Sequence, residues 1–219
     1  MAIRDGVFDA FLRVYPRISN LLKSSDDDAV GVSMCRISIG LRVSSAQYKL
    51  GDKTEALSTM RRTLNRLDKM NVKNDEHLKS RVCRFKVEAL QGIGAMSQDV
   101  TALRRGLSIL QVDLKDPVSA AAVSHSISAL LAKKRDWESS CKQYGVTLDI
   151  LQSIAEKNNN NKKNEAMARI SVELAVSQTM MGAKDLAKES LKNAVEYGGD
   201  GDKIKVHMQF EDLLSRYKS

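Results

Sequence analysis

Apolar residues recur three or four positions apart along most of the chain, with polar residues between them. This spacing places the apolar side chains on one face of an α-helix. The first such stretch contains Val7, Phe8, Phe11, Leu12, Tyr15, Ile18, Leu21 and Leu22. It predicts an N-terminal helix, kinked or split at Pro16, that forms a cap over residues 1–28.

After residue 28 the pattern continues as long helices separated by short polar or glycine-containing breaks. The breaks fall at 51–52, 97–98, 134–136 and 182, and each one joins two helices into a hairpin. The predicted hairpins cover 29–70, 75–114, 117–157 and 164–197. A glycine-rich stop at 198–202 precedes a last amphipathic helix, which we expect to form a C-terminal cap over 203–219.

The four hairpins share a register. A small residue lies just inside each second helix, at Ala56, Ala102, Ser140 and Ala187. Two helices can approach closely at such a position, and stacked hairpins then bury a continuous seam, which is the physical basis of an α-solenoid. Only two prolines and 5% aromatic residues argue against an all-β fold. We therefore predict an all-α solenoid of about four hairpins.

The residues at these breaks resemble tetratricopeptide repeats. The clearest segments are 41–64, where Gly51-Asp52 is followed by Glu55-Ala56-Leu57, and 174–195, where Gly182 is followed by Ala187 and Ala194. The resemblance implies a tetratricopeptide-like fold over about 29–197. The spacings of 46 and 47 residues between Ala56 and Ala102 and between Ser140 and Ala187 exceed the usual ~34 residues, so the helices are expected to be lengthened.

A second resemblance concerns the order of the segments 41–57, 124–137 and 168–194. This order is similar to the C-terminal repeat region of subunit 12 of the transport protein particle (TRAPP) complex. That family is a peripheral component of a cytosolic tether that activates Rab GTPases in early secretory and autophagic traffic. The resemblance implies a subunit of a vesicle-tethering complex, cytoplasmic and peripheral to Golgi or early secretory membranes, with other subunits as partners.

In tetratricopeptide proteins the first helix of each hairpin lines a concave groove. The corresponding positions, called the groove residues below, are Leu41, Ser45, Tyr48, Val87, Gln91, His125, Ala129, Val172 and Val176. The Lys, Arg and Asn clamp that chaperone adaptors use for a peptide carboxylate is absent from these positions. An apolar groove of this kind should be covered, either by a terminal helix or by a hydrophobic partner segment.

Charge adds an alternative function. The chain has 35 Lys and Arg against 27 Asp and Glu, and residues 61–86 hold nine of the basic residues. One helical face there carries a basic stripe of Arg62, Arg66, Lys69 and Lys73. Such a stripe is a solvated helix face, a site for an acidic protein surface or membrane headgroups, or a phosphate-binding surface of a nucleic-acid-associated scaffold. No aromatic platform is interleaved with it, as single-strand binding usually requires.

No pattern in the sequence predicts catalysis, a metal site or a cofactor. Cys35, Cys83 and Cys141 are expected to be reduced core residues, and Trp137 is expected to pack in the core. No apolar stretch of ~18 residues predicts a transmembrane segment. The sequence thus predicts a non-enzymatic protein–protein interaction scaffold, with nucleic-acid association as the alternative.

Overall fold

The chain is described by a computed structural model that covers residues 30–72, 75–157, 164–198 and 203–218. These residues form nine α-helices and contain no β-strand, so the all-α prediction is confirmed for this part of the chain. The cap predicted over 1–28 lies outside the described residues. The chain divides into two compact units, Met1–Leu114 and Lys115–Ser219, called unit 1 and unit 2.

Unit 1 contains four of the described helices: α1 (Val30–Lys49), α2 (Lys53–Lys69), α3 (Glu76–Ser97) and α4 (Val100–Val112). Helix α1 packs on α2 and α3 packs on α4, so that each pair forms a hairpin. Helix α3 also contacts both α1 and α2. The core between them is apolar and includes Ile37, Leu41, Met60, Leu67 and Leu90.

Unit 2 contains the other five described helices: α5 (Pro117–Lys133), α6 (Trp137–Lys157), α7 (Glu165–Met180), α8 (Lys184–Gly198) and α9 (Lys203–Lys218). Helices α5 and α6 form one hairpin, α7 and α8 form the next, and α6 packs on α7. Helix α9 packs on α7 and α8. Val206 of α9 is buried with Val172 of α7 and Ala194 of α8.

Short polar side chains begin most of these helices. Asp52, Asp75, Asp99, Asp116 and Asn164 each accept a hydrogen bond from a backbone N–H in the first turn of the following helix. These N–H groups have no partner within the helix, so each cap removes an unsatisfied donor. Pro117 is the first residue of α5, where its missing N–H costs no helical hydrogen bond.

Left-handed residues lie at each turn between the helices of a hairpin. Gly51 and Gly182 have φ values of 94° and 81°, which glycine adopts without a Cβ clash. Gln98 and Arg135 occupy the same region at the other two turns, with φ values of 54° and 62°. All four turns coincide with the breaks expected from the sequence.

The four small residues of the register are all buried. Ala56, Ala102, Ser140 and Ala187 are at most 8% exposed. Within two of the hairpins a serine hydroxyl crosses this contact: Ser44 donates to the carbonyl of Ala56, and Ser140 donates to the carbonyl of Ser128, over 2.7 and 3.0 Å. The burial places these residues at close helix–helix contacts, as expected. No helix among the described residues has the length and apolar character needed to cross a membrane.

Candidate functional site

Three polar side chains from three helices of unit 2 meet at one carboxylate. Nε2 of His125 in α5 lies 2.6 Å from Oε2 of Glu173 in α7. The hydroxyl of Tyr144 in α6 donates to the same oxygen over 3.0 Å. Nε of Arg169 lies 3.9 Å from the other carboxylate oxygen, Oε1. Glu173 is thus an acceptor that links α5, α6 and α7.

The surroundings of Glu173 keep Tyr144 as a hydrogen-bond donor. Burial, and after it the negative charge of Glu173, raises the pKa of Tyr144 well above its ordinary value of 10.0. The phenol therefore stays protonated throughout the physiological pH range. Its hydroxyl can then donate to the carboxylate under all ordinary solution conditions.

A cavity of about 200 Å³ lies beside this cluster. Its walls combine the polar cluster with apolar side chains of α5, α7 and α9. The lining residues are His125, Ala129, Tyr144, Glu173, Val176, Ser177, Leu213 and Tyr217. Three of the groove residues predicted for unit 2, His125, Ala129 and Val176, are thus brought together around one space.

Helix α9 covers this face of unit 2. Leu213 and Tyr217 form part of the cavity wall, and Val206 packs on Val172, the remaining groove residue of the unit. The ring of Tyr217 meets the ring of Trp137 edge-on, with centroids 5.1 Å apart. Trp137 is only partly buried, against α9, because it is the first residue of α6 and lies at the end of its hairpin.

The groove residues of unit 1 divide into two groups. Leu41 and Val87 are buried, at 2% and 6% exposure, so their side chains are not accessible to a partner. Ser45 and Tyr48 are exposed on α1, and Gln91 is partly exposed on α3. A partner surface on this face of unit 1 would therefore consist of Ser45, Tyr48 and Gln91.

The three described residues of the basic stripe, Arg62, Arg66 and Lys69, are exposed, but their charges are not equivalent. Arg62 is engaged by Glu55, with 2.7 Å between Nη2 and Oε1. Among the described residues no carboxylate lies within ion-pair distance of Arg66 or Lys69. Lys73 lies outside the described residues. Of the three stripe residues that the structure describes, Arg66 and Lys69 thus remain without a carboxylate partner there, whereas Arg62 has one.

Another basic residue of the 61–86 region takes part in an ion-pair network inside unit 1. Asp68 of α2 forms ion pairs with Lys86 of α3 and Arg105 of α4, with N–O distances of 3.0 and 2.9 Å. Burial acts to raise the pKa of Asp68, but the hydrogen bonds and charges of the two cations together lower it below 3.8. This ion-pair network connects three helices and leaves Lys86 and Arg105 less available for a partner.

The cysteines differ from the expectation. All three are free thiols, but Cys35 is exposed, while Cys83 and Cys141 are partly buried. The prediction that they are core residues is wrong for Cys35, because α1 buries the adjacent Met34 and turns Cys35 outward. Within the described residues no group of three or more His, Cys, Asp and Glu is arranged to hold a metal ion.

Comparisons with known proteins extend to the fold alone. The chain is similar to the crystal structure of BtubC (BKLC) from P. vanneervenii, with a TM-score of 0.60 and 14% sequence identity. The alignment covers 96% of this chain and 82% of that chain. No protein-family model and no curated protein matches the sequence. The chain therefore shares a helical fold with BtubC, while the tetratricopeptide and tethering-subunit resemblances remain predictions.

Proposed function

We propose that this protein is a non-enzymatic protein–protein interaction scaffold built from tetratricopeptide-like hairpins. One observation carries the proposal: groove residues of unit 2 receive an amphipathic helix, α9, on a surface of apolar side chains around Glu173. Docking an amphipathic helix on such a surface is a general mode of protein recognition. The groove face is therefore chemically suited to bind a polypeptide.

Unit 1 supplies a candidate contact for a partner. Tyr48 and Leu50, at the end of α1, expose 39% and 42% of their surface. Tyrosine is enriched among the residues that contribute most to interface affinity, because it combines apolar area with a hydroxyl. We place a partner contact at this end of α1, next to the groove residue Ser45.

The biological setting that we propose is a multisubunit vesicle-tethering complex on the cytosolic side of early secretory membranes. It rests on the resemblance of the segments 41–57, 124–137 and 168–194 to the tethering subunit. In this setting the partners are other subunits of the complex, bound through helix faces rather than through a peptide-carboxylate clamp.

The proposal is tested by isolating the tagged protein from cells at its natural abundance, followed by chemical cross-linking and mass spectrometry. We expect the tagged protein to be isolated in an assembly much larger than its own mass of 24.3 kDa and to cross-link to partners present in fixed stoichiometry. Tyr48→Asp with Leu50→Asp should release a partner. The matched control, Val146→Asp with Leu186→Asp, changes two other exposed apolar residues and should keep the assembly intact. A free monomer without stoichiometric partners would contradict the scaffold function.

The second candidate function is association with an anionic partner through unit 1. The described residues of unit 1 carry 14 Lys and Arg against 8 Asp and Glu. Arg66 and Lys69 are exposed on one face of α2 and can approach phosphates or an acidic protein surface. This observation keeps a nucleic-acid-associated scaffold as the alternative.

A further inference from the structure

The structure of α9 resembles a bound ligand more than a core helix. Its apolar residues Val206, Phe210, Leu213 and Tyr217 follow one another at i, i+4, i+7 and i+11. This is the spacing with which amphipathic helices insert anchors into a groove. All four contact other helices of unit 2: Val206, Phe210 and Leu213 pack at the Val172 cluster, and Tyr217 lies against Trp137.

The burial of α9 is less complete than that of its neighbours. Only Val206 and Leu214 are buried in α9, whereas eight residues are buried in α7, a helix of the same length. The cavity of about 200 Å³ remains beneath Leu213 and Tyr217. Ile204 and Met208, on the other side of α9, are 76% and 68% exposed. The contact therefore lacks the close packing that makes a core helix inseparable from its domain.

The last anchor lies in a polar environment. Tyr217 and Glu173 line the same cavity of about 200 Å³. Burial, and after it the negative charge of Glu173, raises the pKa of Tyr217 above its ordinary value of 10.0. The first three anchors are aliphatic or aromatic and meet apolar side chains. The groove thus accommodates three apolar side chains followed by an aromatic ring that lies against Trp137, beside a carboxylate.

We infer that α9 is an exchangeable occupant of a helix-binding groove in unit 2, and that a helix from a partner protein can replace it. The replacing helix is amphipathic, with apolar residues at i, i+4, i+7 and i+8, the last being the position of the buried Leu214. At i+11 it carries an aromatic side chain that packs against Trp137, beside Glu173. This inference deepens the proposed scaffold function and rests on it, since it names the recognition element that a partner subunit supplies.

The test uses the full chain and a fluorescein-labelled peptide of residues 203–218 as the probe. In one variant Phe210→Asp and Leu213→Asp weaken the attachment of α9 to its own groove. We expect this opened variant to bind the peptide at least tenfold more tightly than the unsubstituted chain, measured by fluorescence anisotropy. The matched control, Ile204→Asp with Met208→Asp, changes the exposed face of α9 and should bind the peptide like the unsubstituted chain.

A second arm places the same substitutions in the probe. Peptides with Phe210→Asp and Leu213→Asp should lose binding to the opened variant, whereas a peptide with Ile204→Asp and Met208→Asp should retain it. This arm separates insertion of the anchors from adhesion of a basic peptide to the protein surface. Equal binding of both peptides would contradict the inference that the groove binds the apolar face of α9.

Three further outcomes overturn the inference. A loss of helical circular dichroism larger than the 16 residues of α9 can account for would show that α9 is inseparable from the core of unit 2. A folded opened variant that binds the peptide no better than the unsubstituted chain would show that the groove does not accept a helix in trans. If the opened variant forms dimers by exchanging α9, as detected by light scattering, the groove is occupied by a second copy of the chain rather than by a partner protein. If the natural assembly persists in any of these cases, the scaffold function stands and only this inference fails.

Discussion

At the scale of single residues, small polar side chains do more than permit close packing. Ser44, Ser140 and Ser190 each hydrogen-bond to a partner twelve residues away, on the other helix of their hairpin. A buried hydroxyl without a partner is unfavourable, whereas a bonded one adds stability and fixes the contact in one position. Serine at these positions thus combines small volume with a specific link between helices.

The Glu173 cluster should contribute measurably to the stability of unit 2. Glu173→Ala removes the acceptor of the buried Tyr144 hydroxyl and should reduce the free energy of unfolding by about 1–3 kcal/mol. Glu173→Gln keeps an acceptor oxygen and should cost less. Urea unfolding followed by circular dichroism measures both effects. Glu189→Ala, at an exposed position of α8, is the control. A loss of similar size in the control would argue against a special role for Glu173.

The Asp68 network predicts a pH dependence in unit 1. Because the pKa of Asp68 is lowered in the folded state, its contribution to stability is present above the ordinary value of 3.8 and is lost as pH falls through the lowered pKa. Asp68→Asn should therefore destabilise the chain at pH 7, by roughly 0.5–1 kcal/mol for this partly exposed network. The difference should disappear at pH values below the lowered pKa. Urea unfolding at both pH values tests this, and a difference that persists in acid would contradict it.

The sequence marked His125 as a groove residue but did not reveal that it meets Tyr144 and Glu173. Glu173 is 48 residues from His125 and 29 from Tyr144, so the cluster depends on how α5, α6 and α7 pack. One signal was present: Glu173 is a charged residue directly after Val172 in an apolar stretch of α7. A carboxylate there needs partners when its helix is packed between others.

At the scale of elements, the helix boundaries were predictable because their causes are local. Asp52 and Asp99 cap the helices that follow them, and Gly51 and Gly182 adopt left-handed conformations at the turns. Each signal lies within a few residues of the boundary that it sets. The position of α9 is a different case, because its contacts with Val172 and Trp137 join residues distant in sequence. Sequence reasoning left open whether a terminal helix or a partner covers the groove.

Close contact between helices gives a test of the hairpin register. Ala187 is 4% exposed at the contact of α7 and α8, and Ala187→Leu should overpack it at a cost of about 1–3 kcal/mol. Ala122→Leu, on an exposed position of α5, provides the control and should leave the free energy of unfolding nearly unchanged. Chemical unfolding measures both. If Ala187→Leu is tolerated as well as the control, the register does not describe the contact.

At the scale of the whole molecule, the two units differ in charge. The described residues of unit 1 hold 14 Lys and Arg against 8 Asp and Glu, whereas those of unit 2 hold 14 against 12. A net positive surface attracts anionic partners over distances set by ionic strength. Any electrostatic attraction to such a partner is therefore expected to be concentrated in unit 1.

This asymmetry allows the two candidate functions to be separated by salt dependence. If unit 1 binds nucleic acid, affinity for a labelled duplex should fall steeply between ~50 and ~200 mM salt, because phosphate contacts release counterions. Arg66→Glu with Lys69→Glu should then weaken binding strongly. Lys188→Glu with Lys192→Glu makes the same change in charge on exposed positions of α8 and should have a smaller effect. Absence of binding at ~50 mM salt, a permissive condition, would contradict the nucleic-acid alternative. Equal loss in both variants would show that net charge, rather than the α2 surface, governs binding.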